Sequence, residues 1–251
     1  MLVVAAVSIL GVHESFRLLF SGHGSRDFES DPGPAGPGIP LRILAYGAGP
    51  LILYGAFRGA PLMMIFYALN LMIAGLIAMT QFDGEGKVLE PVFRQTFTVL
   101  YVPVLLAFLV LIRNGDKGAV WIYLMLAVVF AGDIGAFYVG TYFGKHKLCP
   151  SISPKKTIEG GVGGLASNLV VGLLMKIIFL PELPLGLSVV FFITLGIAAQ
   201  MGDLFESMLK RAAKVKDSGG IFPGHGGLLD RIDALLFAAP VGYLFKEYLL
   251  R

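Results

Sequence analysis

The sequence predicts an all-α fold, a polytopic integral membrane protein with about eight transmembrane helices. Three observations predict it. The 251 residues are 56% hydrophobic and only 15% charged, with a mean hydropathy of +0.77, whereas a soluble domain carries roughly 25% charged residues. Uncharged runs cover 60–80, 95–112, 118–132, 134–144, 160–175 and 183–202, and several approach the ~20 residues that span a bilayer. The remaining charge is concentrated, with five acids and five bases between Met201 and Asp233. A soluble protein with a greasy core does not have this composition.

The elements follow in order. Apolar segments are expected over 1–20, 40–57, 60–80, 92–112, 119–143, 160–180, 185–208 and 232–249. The first starts at Met1 without a charged flank or a small-residue cleavage site, so it makes a poor signal peptide. Residues 21–39 are rich in Gly, Pro and Ser and predict a mobile loop. Phe57-Arg58-Gly59 and Pro181-Glu182-Leu183-Pro184 read as short turns between spans. No internal repeat and no appended soluble domain is evident. The chain divides into N-terminal transmembrane helices over 1–118 and a C-terminal transmembrane catalytic region over 119–251.

Basic residues set the orientation. The loops after the first, third, fifth and seventh segments hold 14 of the 20 Lys and Arg residues. That side is expected to be cytoplasmic, in the cell (inner) membrane. Part of the bias can be phosphate binding rather than topology, but either cause puts both basic loops on one side. A net charge of +3 is too small to suggest nucleic acid. The single Cys149 excludes an intrachain disulfide.

The stretch MGDLFESMLKRAAKVKDSGGIFPGHGGLLDRID, from Met201 to Asp233, carries the chemistry. Clustered carboxylates suit a hard divalent cation, Lys and Arg suit phosphate, and glycines admit close backbone approach. Asp230 and Asp233, spaced i, i+3, begin the last segment, and Asp203 and Glu206 share that spacing where the seventh ends. Two helix termini can thus present carboxylates to one ion. The alternative is that Asp230 caps its helix and Asp233 pairs with a base. His225 can be a ligand, a phosphate contact or a turn residue. Asp133, in Gly132-Asp133-Ile134-Gly135, is costly in lipid and should face a polar cavity or pair with a Lys near the interface. After it, Gly144–Gly164 holds Ser153, Lys155, Lys156 and Thr157 just ahead of the sixth segment. A turn of that kind at a helix N-terminus can hold an anion. GxxxxGK[ST] is absent, so it is no Walker A loop, and membrane-flanking lysines can equally serve topology or lipid headgroups.

Ser207-Met208-Leu209-Lys210-Arg211, then Lys216-Asp217-Ser218-Gly219, then Pro223-Gly224-His225-Gly226-Gly227-Leu228-Leu229-Asp230-Arg231-Ile232-Asp233 resembles the signature of the phosphatidate cytidylyltransferase (CDP-diacylglycerol synthase) family. Gly202-Asp203, the Asp133 region, Ser153-Pro154, Lys156-Thr157 and Gly160 match its pattern too. The resemblance covers 119–249 well and the N-terminal half by hydropathy. Familiar bacterial members carry an additional N-terminal span, and this chain starts at the counterpart of their second.

The resemblance implies that CTP and phosphatidate give CDP-diacylglycerol and pyrophosphate. It assigns Mg2+, alone or with a second cation, to Asp203, Asp230 and Asp233. Lys156, Lys210 and Arg211 join them as catalytic residues. Ser153, Lys155, Thr157, Ser207, Lys216, Asp217, His225, Arg231 and Asp133 would shape or bind the substrates. Membrane lipids are partners by location, and a homodimer is implied by the resemblance alone. Two other readings stay open. One is a different CTP-using membrane enzyme, such as a polyprenol kinase or a cytidylyltransferase for another lipid phosphate. The other is a transporter, against which the charge clusters at one membrane face rather than at midplane helix breaks.

Overall fold

The computed structural model describes residues 2–20, 38–84, 86–221 and 226–250. Nine α-helices make up almost all of the described residues: α1 (Leu2–Phe20), α2 (Ile39–Arg58), α3 (Ala60–Thr80), α4 (Leu89–Val99), α5 (Leu105–Asn114), α6 (Gly118–Phe143), α7 (Ile158–Phe179), α8 (Leu185–Ala212) and α9 (Leu229–Leu244). α4 and α5 are joined by a π-helical turn, Leu100–Val104, around Pro103, so 86–114 forms one span. Proline lacks an N–H and its ring crowds the preceding turn, and a widened turn absorbs both effects.

Seven helical spans are long and apolar enough to cross a membrane. The eighth predicted segment is helical through α9 and a π turn at Phe245–Leu249. Its ends carry Asp230, Arg231 and Asp233 on one side and Lys246 and Glu247 on the other, which leaves it outside that set. The best apolar windows of α3 and α7 are only 22% and 17% buried in protein. Leu71, Met72, Leu76 and Met79 on α3 are each at least half exposed. Apolar surface on that scale needs lipid to cover it. The chain is a multi-pass membrane protein.

The chain forms two compact units. The first comprises 1–111 with 209–231, the second 112–208 with 232–251. In the first, α2 ends at Gly59, whose φ of 135° favours glycine, and α3 starts at once with Pro61 in its first turn. Leu41, Ala74, Ala78 and Val92 pack between α2, α3 and α4. Polar pairs cross this greasy core: Gln95 donates to Asn70 at 2.9 Å, and Ser15 meets Thr98 at 3.2 Å. Such pairs hold transmembrane helices in register at about 0.6 kcal/mol each.

In the second unit α6, α7 and α8 meet around Asn168, which is 1% exposed. A Cβ at Gly132 on α6 or at Gly196 on α8 would lie 2.1 or 1.9 Å from the Asn168 amide. Small residues let the helix backbones come this close. The departure from a purely helical fold is a two-stranded antiparallel hairpin, β1 (Lys147–Cys149) with β2 (Ser153–Thr157). The sequence reading has a plain turn here. The Glu159 carboxylate closes the hairpin by accepting the N–H groups of Lys145 and His146, at 3.0 and 3.1 Å, with the His146 ring at 2.6 Å.

Candidate active site

Thr157 ends β2 and starts α7. Its backbone is extended, and its hydroxyl accepts the Gly160 N–H at 3.1 Å, so it is the helix cap. That junction sets Lys155 and Lys156 beside the positive end of α7. Together with α6 and α8 it encloses a cavity of about 430 Å3 whose wall includes Asp133, Lys155, Lys156, Thr157, Gln200 and Asp203. Asp133 lines this cavity together with the two lysines and Asp203. The Lys156 ammonium lies 2.5 Å from Asp203. Phe137, Leu148 and Leu204 complete an apolar part of the wall. Gln200 donates to the Gly161 carbonyl at 2.9 Å and fixes α8 against the first turn of α7.

Asp233 also belongs to this unit. Its N-terminal turn of α9 presses on α8, so that a Cβ at Gly202 would lie 2.5 Å from the Asp233 carbonyl. The Phe205 and Phe237 rings, 5.3 Å apart, continue the contact. Ser207 is half-buried on α8, and Ser153 is half-buried in β2. Glu206 is fully buried.

The first unit holds the remaining predicted residues. Lys210 lies 2.5 Å from Asp230 Oδ1. Asp230 Oδ2 accepts the Ser218 N–H at 2.9 Å, the Ser218 hydroxyl at 2.9 Å and the Gly227 N–H at 2.8 Å. Burial pushes the Asp230 carboxyl up, but Lys210 and the Gly227 and Ser218 donors outweigh it and leave it below the ordinary carboxylate value. Gly226, with a φ of 82°, turns the chain tightly over Asp230, and a Cβ there would lie 2.7 Å from Oδ2. Asp230 therefore organises its loop as well as carrying charge. Arg211, Lys216, Asp217 and Arg231 are exposed. His225 lies outside the described residues.

Sequence reasoning missed Glu14. It is buried in α1 and accepts hydrogen bonds from Ser218, Leu228 and Leu229. The signal was present: an ionisable residue inside an apolar segment marks a functional position by default.

Among the described residues no group of three or more His, Cys, Asp or Glu is close enough to hold a metal ion. Asp203 and Asp230 each hold a lysine ammonium at 2.5 Å.

The profile of the cytidylyltransferase family matches residues 1–249. A phosphatidate cytidylyltransferase from Bacillus subtilis (strain 168) is 42% identical over 151 residues, 59% of this chain and 55% of that protein. One from Staphylococcus saprophyticus is 44% identical over 144 residues, 57% of this chain and 55% of that protein. One from Mycobacterium bovis is 30% identical over 253 aligned positions, 96% of this chain and 78% of that protein. The chain thus spans about half the length of the Bacillus and Staphylococcus relatives and more of the mycobacterial one. With its profile matched almost end to end, this chain belongs to the cytidylyltransferase family.

Proposed function

We propose that the chain transfers the cytidylyl group of CTP to phosphatidate, releasing pyrophosphate and leaving CDP-diacylglycerol in the membrane. The observation that carries this reading is the cavity of the second unit, in which Lys155, Lys156 and the capped N-terminus of α7 face Asp133 and Asp203 within an apolar helical wall. Cationic groups for phosphate, carboxylates for a cation and a lipid-side location are what joining a nucleotide to a lipid phosphate requires. The names of the relatives support the same reaction. The residues assigned to the chemistry all fall within 119–251, the proposed catalytic region.

A phosphatidate oxygen attacks the α-phosphorus of CTP, a new P–O bond forms, and the bond to the departing pyrophosphate breaks. The nucleophile is already an anion, so no strong base is needed. The barrier lies in bringing two polyanions together and neutralising charge on the leaving group. Mg2+, alone or with a second cation, supplies that neutralisation when bound, with Asp203, Asp230 and Asp233 as its proposed carboxylates. Lys156, Lys210 and Arg211 hold phosphate oxygens. Ser153, Lys155, Thr157, Ser207, Lys216, Asp217, His225, Arg231 and Asp133 shape the substrate sites. The basic loops, and so the site, face the cytoplasm of the cell membrane. A homodimer is part of the proposal, and nucleic acid is not a partner.

The test is purified protein with α-labelled CTP, Mg2+ and phosphatidate in mixed micelles. Lipid-dependent pyrophosphate release with label in the lipid product supports the reading. Label transfer to another lipid phosphate but not to phosphatidate changes the substrate. Phosphorylation of a lipid alcohol without cytidylyl transfer makes it a kinase, and no lipid-dependent turnover overturns the enzyme assignment.

A further inference from the structure

The cavity wall of the second unit holds three uncharged polar side chains, those of Thr141, Thr157 and Gln200. Two are committed to the backbone. The Thr141 hydroxyl donates to the Phe137 carbonyl at 2.7 Å, and the Thr157 hydroxyl accepts the Gly160 N–H at 3.1 Å. Gln200, on α8, is committed at one end. Its Nε2 donates to the Gly161 carbonyl at 2.9 Å, and its Oε1 makes no hydrogen bond among the described residues. Chemistry fixes the direction of this amide, because its oxygen turned to the Gly161 carbonyl would set acceptor against acceptor. Glycine makes the room. A Cβ at Gly164 would lie 3.0 Å from Nε2, and one at Gly161 would lie 3.2 Å from Oε1. Gly161 belongs to the cavity wall as well. Oε1 is thus an oriented, neutral acceptor set against the bare backbone of Gly161.

The proposed reaction brings a cytidine nucleotide into a cavity with lysines for its phosphates, and none of the residues assigned to it reads the base. Cytosine and uracil differ along one edge. Cytosine carries an amino group at C4, a donor, where uracil carries an oxygen, an acceptor. A fixed acceptor facing that position takes a hydrogen bond from cytosine and meets uracil oxygen to oxygen. The other acceptor side chains of the wall are carboxylates. Asp203 is engaged by the Lys156 ammonium at 2.5 Å, which leaves Asp133 as the rival reader.

We infer that Gln200 determines the nucleotide specificity of this cavity: its Oε1, held in place by the bond from Nε2 to Gly161, accepts from the cytosine amino group and turns uracil away. The inference rests on the reading of the cavity as the CTP site. One well-made contact between a side chain and a base edge discriminates on the order of 10- to 100-fold. Gln200 meets the base rather than the reacting phosphorus, so its loss changes which nucleotide is taken.

The test is Gln200→Met in the full chain. Methionine keeps the length and removes both ends of the amide. Unlabelled CTP and UTP compete against α-labelled CTP, both for binding to the purified protein and for transfer of label to phosphatidate. The UTP-to-CTP ratio of inhibition constants should fall on the order of 10- to 100-fold. A Gln200 that only ties α8 to α7 would weaken both nucleotides alike and leave the ratio in place. That result overturns the inference, as does a wild-type protein that does not tell CTP from UTP. A ratio lost in Asp133→Asn but kept in Gln200→Met gives the reading to Asp133 and overturns it too. Should Gln200→Met fail to accumulate, Gly161→Ala keeps the Nε2 bond and sets a methyl 3.2 Å from Oε1, in the way of a base. A lowered ratio then supports the inference, and a wild-type ratio overturns it. If the wild-type protein makes no nucleotide-lipid, the proposed reaction falls by itself, and the ratio measured by binding alone decides the role of Gln200.

Discussion

Asp230→Asn separates two jobs of one carboxylate. In the wild-type protein Oδ2 gathers three donors from Ser218 and Gly227, while Oδ1 lies 2.5 Å from Lys210. Asparagine can keep its oxygen toward the loop donors, so the loop retains an acceptor. Its amide then faces Lys210, and an ion pair at 14% and 11% side-chain exposure is lost. Breaking a pair buried to that degree costs about 3 kcal/mol. Turnover should fall about 100-fold or more, the scale of losing a main electrostatic stabiliser. Removing the ammonium as well, in Asp230→Asn with Lys210→Met, should recover much of the stability and none of the turnover. The assay is transfer of label from CTP to lipid by purified protein, alongside thermal unfolding of the same samples. Turnover within a few-fold of wild type for the single variant would refute the chemical role of Asp230. Loss of turnover that the double variant reverses would make its role purely structural.

Three further outcomes are expected. Lys156→Ala frees Asp203 and removes a cation from the cavity wall, so the KM for CTP or phosphatidate should rise about tenfold or more with the Mg2+ requirement little changed, and Arg211→Lys should also lose activity because an ammonium cannot replace a guanidinium fork on phosphate; wild-type substrate titrations for both would leave topology as the only role of these bases. Cysteines at the exposed positions Ser151 and Lys216, in a Cys149→Ser background, should label from the cytoplasmic side, and one at exposed Asp116 from the other; labelling of 151 and 216 from opposite sides would break the proposed orientation. Gly196→Ala, whose new methyl would sit 1.9 Å from Asn168, should cost about 1–3 kcal/mol of stability as Asn168 is displaced, and an unchanged melting temperature would show that α7 and α8 separate freely.

The membrane-spanning plan was legible in the sequence because lipid selects for composition and length. Segments read at 60–80 and 119–143 are α3 at Ala60–Thr80 and α6 at Gly118–Phe143. The charged residues of the candidate site stand out in the sequence too, because Asp, Lys and Arg are scarce in a chain this apolar. Three features came only with the tertiary structure. A span that meets lipid on most sides has no polar face, so its periodicity does not say which side packs on protein. The sequence therefore could not place Asn168 between Gly132 and Gly196, or aim Asp133 into the cavity of Lys156 and Asp203. The hairpin at 147–157 depends on Glu159 collecting N–H groups from Lys145 and His146, 13 to 14 residues earlier, which no local propensity encodes. Glu14 is a single carboxylate in an apolar run, with no spacing to connect it to Ser218, Leu228 and Leu229. Local sequence determined the helices and the charges available. Which donor meets which carboxylate was decided by the folding of distant segments onto one another, because a buried charge is tolerated only where the whole chain brings partners to it.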